Sequence, residues 1–249
     1  MTVKPPILPL NEIALFLDFD GTLVDLAPQP DAVIVPPNLP PLLQRLQTAM
    51  QGALATVSGR PIAEIDAFLA PARMAASGSH GAELRSAGDA EVRTVGEMLP
   101  QPLRATIHAI LADLGRRWQG LRAEDKGTSF AVHYRSVPDA EPELGTAMRA
   151  LPLGDGWQLL SGHCVYEVKA RGRNKGNAVR DLMAEPAFAG RLPIFVGDDR
   201  TDLDGIAAAV ALGGSGIAVA GLDASVAWAL QNPTAVRAWL RDLADSASA

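Results

Sequence analysis

Asp18-Phe19-Asp20-Gly21-Thr22 follows directly after the apolar run Ile13-Ala14-Leu15-Phe16-Leu17, and the two stretches together are the most informative part of the chain. The apolar run predicts a buried strand. Two carboxylates at its end are costly to bury unless something compensates their charge. Gly21 allows a tight turn and the close approach of a ligand to the backbone. The sequence therefore predicts a cation and a phosphate bound at the carboxyl edge of a sheet.

In both terminal parts of the chain, predicted strands alternate with predicted helices. Strands are predicted at 13–18, 53–57, 192–196 and 216–219, and helices at 41–50, 61–69, 175–183, 201–210 and 234–243. This alternation is typical of an α/β fold in which a parallel, Rossmann-like sheet carries helices on both faces.

The middle of the chain has a different pattern. Helices are predicted at 103–118 and 141–150, and strands at 130–134, 157–160 and 164–168. Helices interleaved with short hairpins favour a small α+β domain inserted into the parallel one. We therefore predict a core formed by residues 1–97 and 172–249 and an inserted domain at 98–171.

The composition argues against several classes of partner. The chain has 249 residues, of which 48% are hydrophobic, so a sizeable core is possible. Its formal net charge is −6 without any run of Lys or Arg, which argues against nucleic acid and an anionic membrane surface as partners. The uncharged stretch 206–222 is too short to span a membrane. A single cysteine and the lack of a signal-peptide layout predict a cytoplasmic protein.

Four polar clusters fall at the carboxyl ends of predicted strands or at the start of a helix, where ligands bind in open α/β sheets. They are Asp18 with Asp20 and Thr22, then Ser58, then Lys175, and then Asp198 with Asp199 and Asp202. Together they supply a nucleophile, a proton donor, a cation site and groups for phosphate oxygens, which phosphate-ester hydrolysis needs. Each cluster alone has a structural alternative, because serine and acidic side chains also cap helices and Lys175 alone would be a solvated helix residue.

The order of these clusters resembles that of the haloacid-dehalogenase-like phosphatases. In that family Asp-x-Asp-x-Thr is followed by a Ser or Thr after a strand, then by a Lys, and then by Gly-Asp with further acids. All four elements occur here in the same order. The resemblance implies a haloacid-dehalogenase-like core with an inserted cap domain of the C2B type.

The same resemblance implies a two-step reaction. Asp18 would attack phosphorus and form an aspartyl phosphate. Asp20 would protonate the departing sugar oxygen and then take a proton from the hydrolytic water. Ser58 and Lys175 would stabilise charge on the transferring phosphoryl group.

The expected cofactor is Mg²⁺, which prefers about six oxygen ligands in an octahedral arrangement. The Asp18 and Asp198 carboxylates, with the main-chain carbonyl of Asp20, would supply protein ligands. Asp199 and Asp202 would hold waters or orient Lys175.

A closer resemblance is to the trehalose-6-phosphate phosphatases. It rests on Ser58-Gly59-Arg60, His80-Gly81-Ala82-Glu83, Phe130-Ala131-Val132-His133-Tyr134-Arg135 and Glu167-Val168-Lys169. It implies hydrolysis of trehalose 6-phosphate to trehalose and phosphate, the last step of trehalose biosynthesis. The substrate contacts that it implies come from Thr22, Arg60, His80, Glu83, Glu124, Lys126 and Glu167.

The sequence departs from this family at two places, and other interpretations stay open. Leu203 stands where the family usually has Glu, and His163 stands where it usually has a lysine expected to touch the sugar. Sucrose phosphate or another sugar phosphate is the alternative substrate. A sugar-phosphate mutase and a phospho-acceptor signalling domain are more remote alternatives. His80 and Glu83 could also be structural turn residues, and His133 is expected to be structural.

Overall fold

The computed structural model describes residues 3–27, 29, 32–162 and 164–247, so His163 lies outside the described residues. The chain divides into two compact units, one formed by Met1–Val95 with Arg173–Ala249 and the other by Gly96–Gly172. Within the described residues, the longest helices are too short and too polar to cross a lipid bilayer.

The described chain forms strands and helices in the following order. The strands are β1 (Ile13–Leu17), β2 (Leu54–Val57), β3 (Ala75–Gly78), β4 (Glu83–Arg85), β5 (Arg93–Thr94), β6 (Arg122–Asp125), β7 (Ser129–His133), β8 (Trp157–Gly162), β9 (Val165–Ala170), β10 (Leu192–Gly197), β11 (Ser215–Val219) and β12 (Trp228–Leu230). The helices are α1 (Leu39–Ala49), α2 (Ile62–Leu69), α3 (Gln101–Leu114), α4 (Glu141–Arg149), α5 (Lys175–Met183), α6 (Asp202–Ala211) and α7 (Pro233–Ser246).

The first unit contains an eight-stranded sheet in the order β12-β11-β10-β1-β2-β3-β4-β5. Strand β1 is buried along its whole length, as expected for the apolar centre of a parallel sheet. It pairs in parallel with β10 and with β2, and Leu17 lies opposite both Val196 and Thr56. The residues that follow these three strands therefore emerge at the same edge of the sheet.

The α/β class that the sequence predicts is confirmed, with one difference at the edge of the sheet. Strands β4 and β5 run antiparallel to their neighbours, so the sheet is mixed. The sequence analysis does not predict β3, whose four small residues lack the branched and aromatic side chains typical of strands. It also does not predict β4, β5 and β12, which have only two or three residues each. Runs this short carry almost no periodic signal.

The helices of the first unit cover the sheet with apolar residues. Helix α1 packs against α7, and α5 packs against α6. Trp239 of α7 is fully buried, and its indole nitrogen donates a hydrogen bond of 3.0 Å to the carbonyl of Pro6. This hydrogen bond satisfies the buried indole N–H of Trp239 and attaches the N-terminal segment to the core.

The second unit is an α+β structure built on an antiparallel sheet in the order β6-β7-β9-β8. Phe130, Val132, Tyr166 and Val168 belong to one apolar cluster with residues of α3 and α4. Because side chains alternate along a strand, the other face carries a row in which Ala131 lies between Glu124 and Glu167. The prediction that α3 runs to Trp118 was wrong, since the helix ends at Leu114 and Gly115 follows.

One buried ion pair holds the antiparallel edge of the first unit. Arg85 is 1% exposed and donates to both carboxylate oxygens of Asp66, at 2.5 and 2.8 Å, and to the carbonyl of Met74. We predict that Arg85→Ala lowers the free energy of unfolding by about 2 kcal/mol, because it removes a buried side chain that donates to both Asp66 and the Met74 carbonyl, while Asp66 keeps the more distant Arg73. Denaturant unfolding measures this change.

The matched control is Arg45→Ala, which removes an exposed ion pair with Asp245 in the same unit. We expect it to change the free energy of unfolding by less than about 0.5 kcal/mol. Equal effects of the two substitutions would contradict the structural importance of the buried pair.

Candidate active site

Side chains from distant parts of the chain meet at the carboxyl edge of the first unit's sheet. The ammonium group of Lys175 donates to Asp18 Oδ1 at 2.7 Å and to Asp202 Oδ1 at 2.6 Å. Thr22 Oγ1 donates to Asp198 Oδ1 at 2.8 Å. The first aspartate cluster, the lysine and the later acidic cluster therefore form one site.

Local structure places each of these groups. At Gly21 the backbone has a φ of +80°, and a Cβ there would lie 2.1 Å from Asp198 Oδ2. Only glycine fits this left-handed turn against the carboxylate. At the start of α5, the side chain of Asn174 caps the helix by accepting a hydrogen bond from the amide of Asn177. The cap fixes Lys175 as the first residue of α5, where its side chain reaches the edge of the sheet.

Asp202 and Asp199 accept hydrogen bonds from different groups. Asp202 is fully buried, and its Oδ2 accepts hydrogen bonds of 3.0 Å from the amides of Asp198 and Asp199. It thus shapes the loop after β10 while its other oxygen holds Lys175. Asp199 Oδ1 accepts from the amide and hydroxyl of Thr201 and from the amide of Asp202. This geometry corresponds to the helix-capping alternative for Asp199.

Burial and mutual repulsion shift the acid–base properties of the site. Burial raises the pKa of Asp18 to about 7 against the opposing effect of Lys175, and the nearby Asp198 charge adds to the increase. Burial also raises the pKa of Asp202 to about 7, and Asp18 adds to it. Burial alone would lower the pKa of Lys175, but the two carboxylates outweigh it and raise that pKa. One ammonium group therefore faces more negative charge than it can neutralise.

The donor set fits a divalent cation. Single carboxylate oxygens of Asp18, Asp198 and Asp202 lie within 4.8 Å of one another. Because both oxygens of Asp202 are engaged by Lys175 and by backbone amides, Asp18 and Asp198 are the residues that could hold the ion. Burial raises the pKa of Asp198 against the opposing hydrogen bond from Thr22, and the charges of Asp202 and Asp199 add to the increase. Hard oxygen donors of this kind suit Mg²⁺.

Arg60 binds Asp20 in this structure. Its Nε donates to Asp20 Oδ2 at 2.6 Å and its Nη2 to Asp20 Oδ1 at 2.9 Å. The guanidinium also donates to Glu64 and lies 5.9 Å from the ring centre of Phe19 and 5.2 Å from that of Phe68. These contacts orient the Asp20 carboxylate. The amide of Arg60 donates to Ser58 Oγ at 3.1 Å, so the buried Ser58 lies next to this pair.

His80 lies in the tight turn between β3 and β4, and Glu83 is the first residue of β4. His80 has a φ of 52°, and its imidazole ring lies 2.6 Å from the position that a Cβ on Gly59 would occupy. Glu83 accepts hydrogen bonds from the amide of Ile62 at 2.7 Å and from the hydroxyl of Ser79 at 3.1 Å. Glu83 therefore satisfies the first turn of α2 and holds the turn that carries His80. For Glu83 the geometry favours the structural alternative.

Glu124, Lys126 and Glu167 lie together in the second unit. Lys126 Nζ is 3.5 Å from Glu124 Oε1 and 3.8 Å from Glu167 Oε1. The ring nitrogen Nε2 of His133 lies 3.0 Å from Glu124 Oε2, and this hydrogen bond, together with Lys126, lowers the pKa of Glu124 against the effect of burial. His133 thus contacts Glu124, a residue predicted to bind substrate. The β6–β7 register could have indicated this contact, because Glu124 pairs with Ala131, which lies two residues before His133 on the same face of the sheet.

The position of Leu203 also bears on the site. It follows Asp202 in α6 and lines an open surface pocket of about 370 Å³, which has apolar side chains such as Ile206 and Val226 and also includes Asp223 and Ser225. In this chain the place where the resembled family has Glu therefore belongs to the wall of a pocket of mixed polarity.

Comparison with known proteins agrees with this geometry. The profile of the family described as trehalose-phosphatase matches residues 16–220. Trehalose-6-phosphate phosphatase of Escherichia coli (strain K12) is 38% identical over 91% of this chain and 85% of its own length. A probable trehalose-phosphate phosphatase of Sinorhizobium fredii is 42% identical over 78% of this chain and 72% of its own length.

The fold is shared with solved structures. The C-terminal domain of trehalose-6-phosphate phosphatase of C. albicans superimposes with a TM-score of 0.75 at 22% identity, covering 95% of this chain and 93% of that domain. The profile match extends from β1 to the end of β11 and includes every residue of the acidic site. The chain belongs to the trehalose-phosphatase family.

Proposed function

We propose that this protein hydrolyses trehalose 6-phosphate to trehalose and inorganic phosphate through an aspartyl-phosphate intermediate. The observation that carries the proposal is the Lys175 ammonium group bound to both Asp18 and Asp202 beside the Asp198–Thr22 pair. Phosphoryl transfer needs this combination of nucleophile, positive charge and cation ligands. The relatives named as trehalose-6-phosphate phosphatases support the choice of substrate. The single cysteine supports a cytoplasmic location.

Asp18 is the nucleophile in this proposal. Lys175 donates to its Oδ1 and stabilises the carboxylate, one oxygen of which attacks phosphorus. Lys175 and the hydroxyl of Ser58 then offset charge on the phosphoryl oxygens. Thr22 supports the site by orienting Asp198.

Asp20 is the proton donor and acceptor. It gives a proton to the departing sugar oxygen and later accepts one from the water that cleaves the aspartyl phosphate. Arg60 engages both of its oxygens, so at least one oxygen must leave the guanidinium before it can reach the substrate. Arg60 and His80 then contact the substrate, as the family resemblance implies.

Mg²⁺ would be held by the carboxylates of Asp18 and Asp198 and by the main-chain carbonyl of Asp20. When bound, the ion supplies the positive charge that the buried carboxylates and a phosphate monoester require. The carboxylate of Asp202 contributes by keeping Lys175 and the loop after β10 in place.

The second unit supplies specificity in this proposal. Residues 98–171 act as a cap, and Glu124, Lys126 and Glu167 bind the hydroxyls of the sugar. Alternating carboxylates and an ammonium group provide both acceptors and donors, which a polyhydroxylated ligand needs.

The substrate is tested by phosphate release from a panel of trehalose 6-phosphate, sucrose phosphate and monosaccharide phosphates. We expect a clear preference for trehalose 6-phosphate in kcat/KM. Preference for another sugar phosphate would reject this substrate and retain the chemistry, and a single labelling event without continuous phosphate release would indicate a phospho-acceptor domain.

Removal of the nucleophile should abolish turnover. We predict that Asp18→Asn lowers kcat by more than about a thousandfold, because no other group can replace the attacking oxygen. Asp25→Asn, an exposed change in the same loop, is the matched control and should retain activity. Normal turnover by a folded Asp18→Asn protein would reject the nucleophile assignment.

Metal dependence follows from the unbalanced charge of the site. We predict that a chelator eliminates phosphate release and that added Mg²⁺ restores it. Asp198→Asn should raise the Mg²⁺ concentration needed for half-maximal activity by about tenfold or more, because it removes one of two carboxylate ligands. Full activity in the presence of the chelator would contradict the assigned cation site.

The specificity residues should affect sugar phosphates selectively. We predict that Glu167→Ala raises KM for trehalose 6-phosphate by about tenfold, as expected for a lost charge-assisted hydrogen bond. Hydrolysis of a small aryl phosphate, which contains no sugar, should change by less than about twofold on the same reasoning. Equal losses on both substrates would argue against sugar contact.

A further inference from the structure

The turn between β6 and β7 places Lys126 in a constrained position. Its amide donates to the carbonyl of Ser129 at 3.0 Å, and its carbonyl accepts from the amide of Thr128 at 2.9 Å. Its side chain is only 12% exposed and extends between Glu124 and Glu167. The direction of the ammonium group therefore depends on the conformation of this turn.

Arg104 holds the turn on both sides of Lys126. From helix α3, its Nη2 donates to the carbonyl of Gly127 at 3.0 Å, and its Nε lies 2.9 Å from Asp125 Oδ2. Asp125 Oδ1 in turn accepts from the amide of Gly127 at 2.9 Å. One guanidinium group thus connects the residue before Lys126 with the residue after it.

Gly127 gives the turn a left-handed backbone conformation that glycine adopts readily and other residues do not. Gly127 has a φ of +78°, and a Cβ there would lie 3.1 Å from the methyl group of Met98. The amide of Leu99 also donates to the carbonyl of Gly127 at 2.8 Å. Two donors therefore converge on one carbonyl oxygen, and Arg104 is the only charged one of the two.

The geometry suits arginine rather than lysine. A guanidinium group spreads its charge over three nitrogens held in one plane, so Nη2 can donate to the carbonyl of Gly127 while Nε stays beside the Asp125 carboxylate as an ion pair without hydrogen-bond geometry. The side chains of Arg104 and Asp125 are 22% and 33% exposed. A partly buried charged group in this arrangement orients its partners more strongly than an exposed surface pair does.

We propose that Arg104 is a positioning residue for substrate specificity, which acts by holding the Asp125–Gly127 turn so that Lys126 points along the polar face of the second unit's sheet. The proposal rests on the proposed function, because it assumes that Lys126 contacts the sugar. Arg104 itself touches neither the substrate nor the groups that react in this scheme.

The test compares Arg104→Ala with Lys126→Ala in steady-state kinetics. The assays use an aryl phosphate and whichever sugar phosphate the wild-type protein hydrolyses best. We expect Arg104→Ala to raise KM for the sugar phosphate about tenfold, with kcat for it and both constants for the aryl phosphate changed less than about twofold. When Arg104→Ala is added to Lys126→Ala, KM for the sugar phosphate should not rise further, because both changes act through Lys126.

Matched variants separate positioning from general destabilisation. Arg104→Lys should not restore KM, since one ammonium group cannot make both contacts. Gly127→Ala, which strains the same turn, should reproduce the KM effect. Arg116→Ala lies just beyond α3, has a side chain 77% exposed, and should behave as wild type.

Three results would overturn the proposal: a wild-type KM in Arg104→Ala, equal losses on the sugar and aryl phosphates, or additive effects with Lys126→Ala. Failure of the proposed substrate has a different signature. In that case the wild-type protein prefers another sugar phosphate, and the same variants measured on that compound still decide the role of Arg104.

Discussion

The Lys175 ammonium group, held between the carboxylates of Asp18 and Asp202, is the interaction on which the site depends. It joins the loop after β1 to the start of α5 and the start of α6, and all three groups are buried. A buried ion pair is costly unless its partners are fully bonded, and Asp202 meets this condition through the amides of Asp198 and Asp199. The remaining negative charge makes the site suitable for a divalent cation, which together with Lys175 would attract a phosphate.

The fold makes this concentration of charge possible. Parallel pairing of β1 with β2 and β10 brings three loops to one edge, and Gly21 allows the first loop to approach Asp198 closely. The second unit provides polar groups of a different kind. Its sheet buries one apolar face against α3 and α4 and presents Glu124 and Glu167 on the other. In our account the first unit performs the chemistry and the second selects the substrate.

Sequence reasoning succeeded where a local signal was strong. The continuous apolar residues of β1 and the helical spacing from Lys175 to Met183 identified both elements, and the rule that ligands bind at strand ends placed the acidic clusters together. It failed for β4, β5 and β12, whose two or three residues have no period to detect, and for β3, which consists of small residues. It could not anticipate that Arg60 would engage Asp20 or that Arg104 would support Lys126, because such contacts depend on the tertiary arrangement of side chains from separate elements.

The most direct test of the account is the detection of a covalent phosphate on Asp18. Asp20→Asn protein, in which breakdown of the intermediate should be slow, is mixed with trehalose 6-phosphate, quenched in acid and analysed by peptide mass spectrometry. The account predicts a phosphoryl group on the peptide that contains Asp18, and none when Asp18 is also replaced by Asn. Phosphate release from this protein without any phosphorylated Asp18 peptide would contradict it.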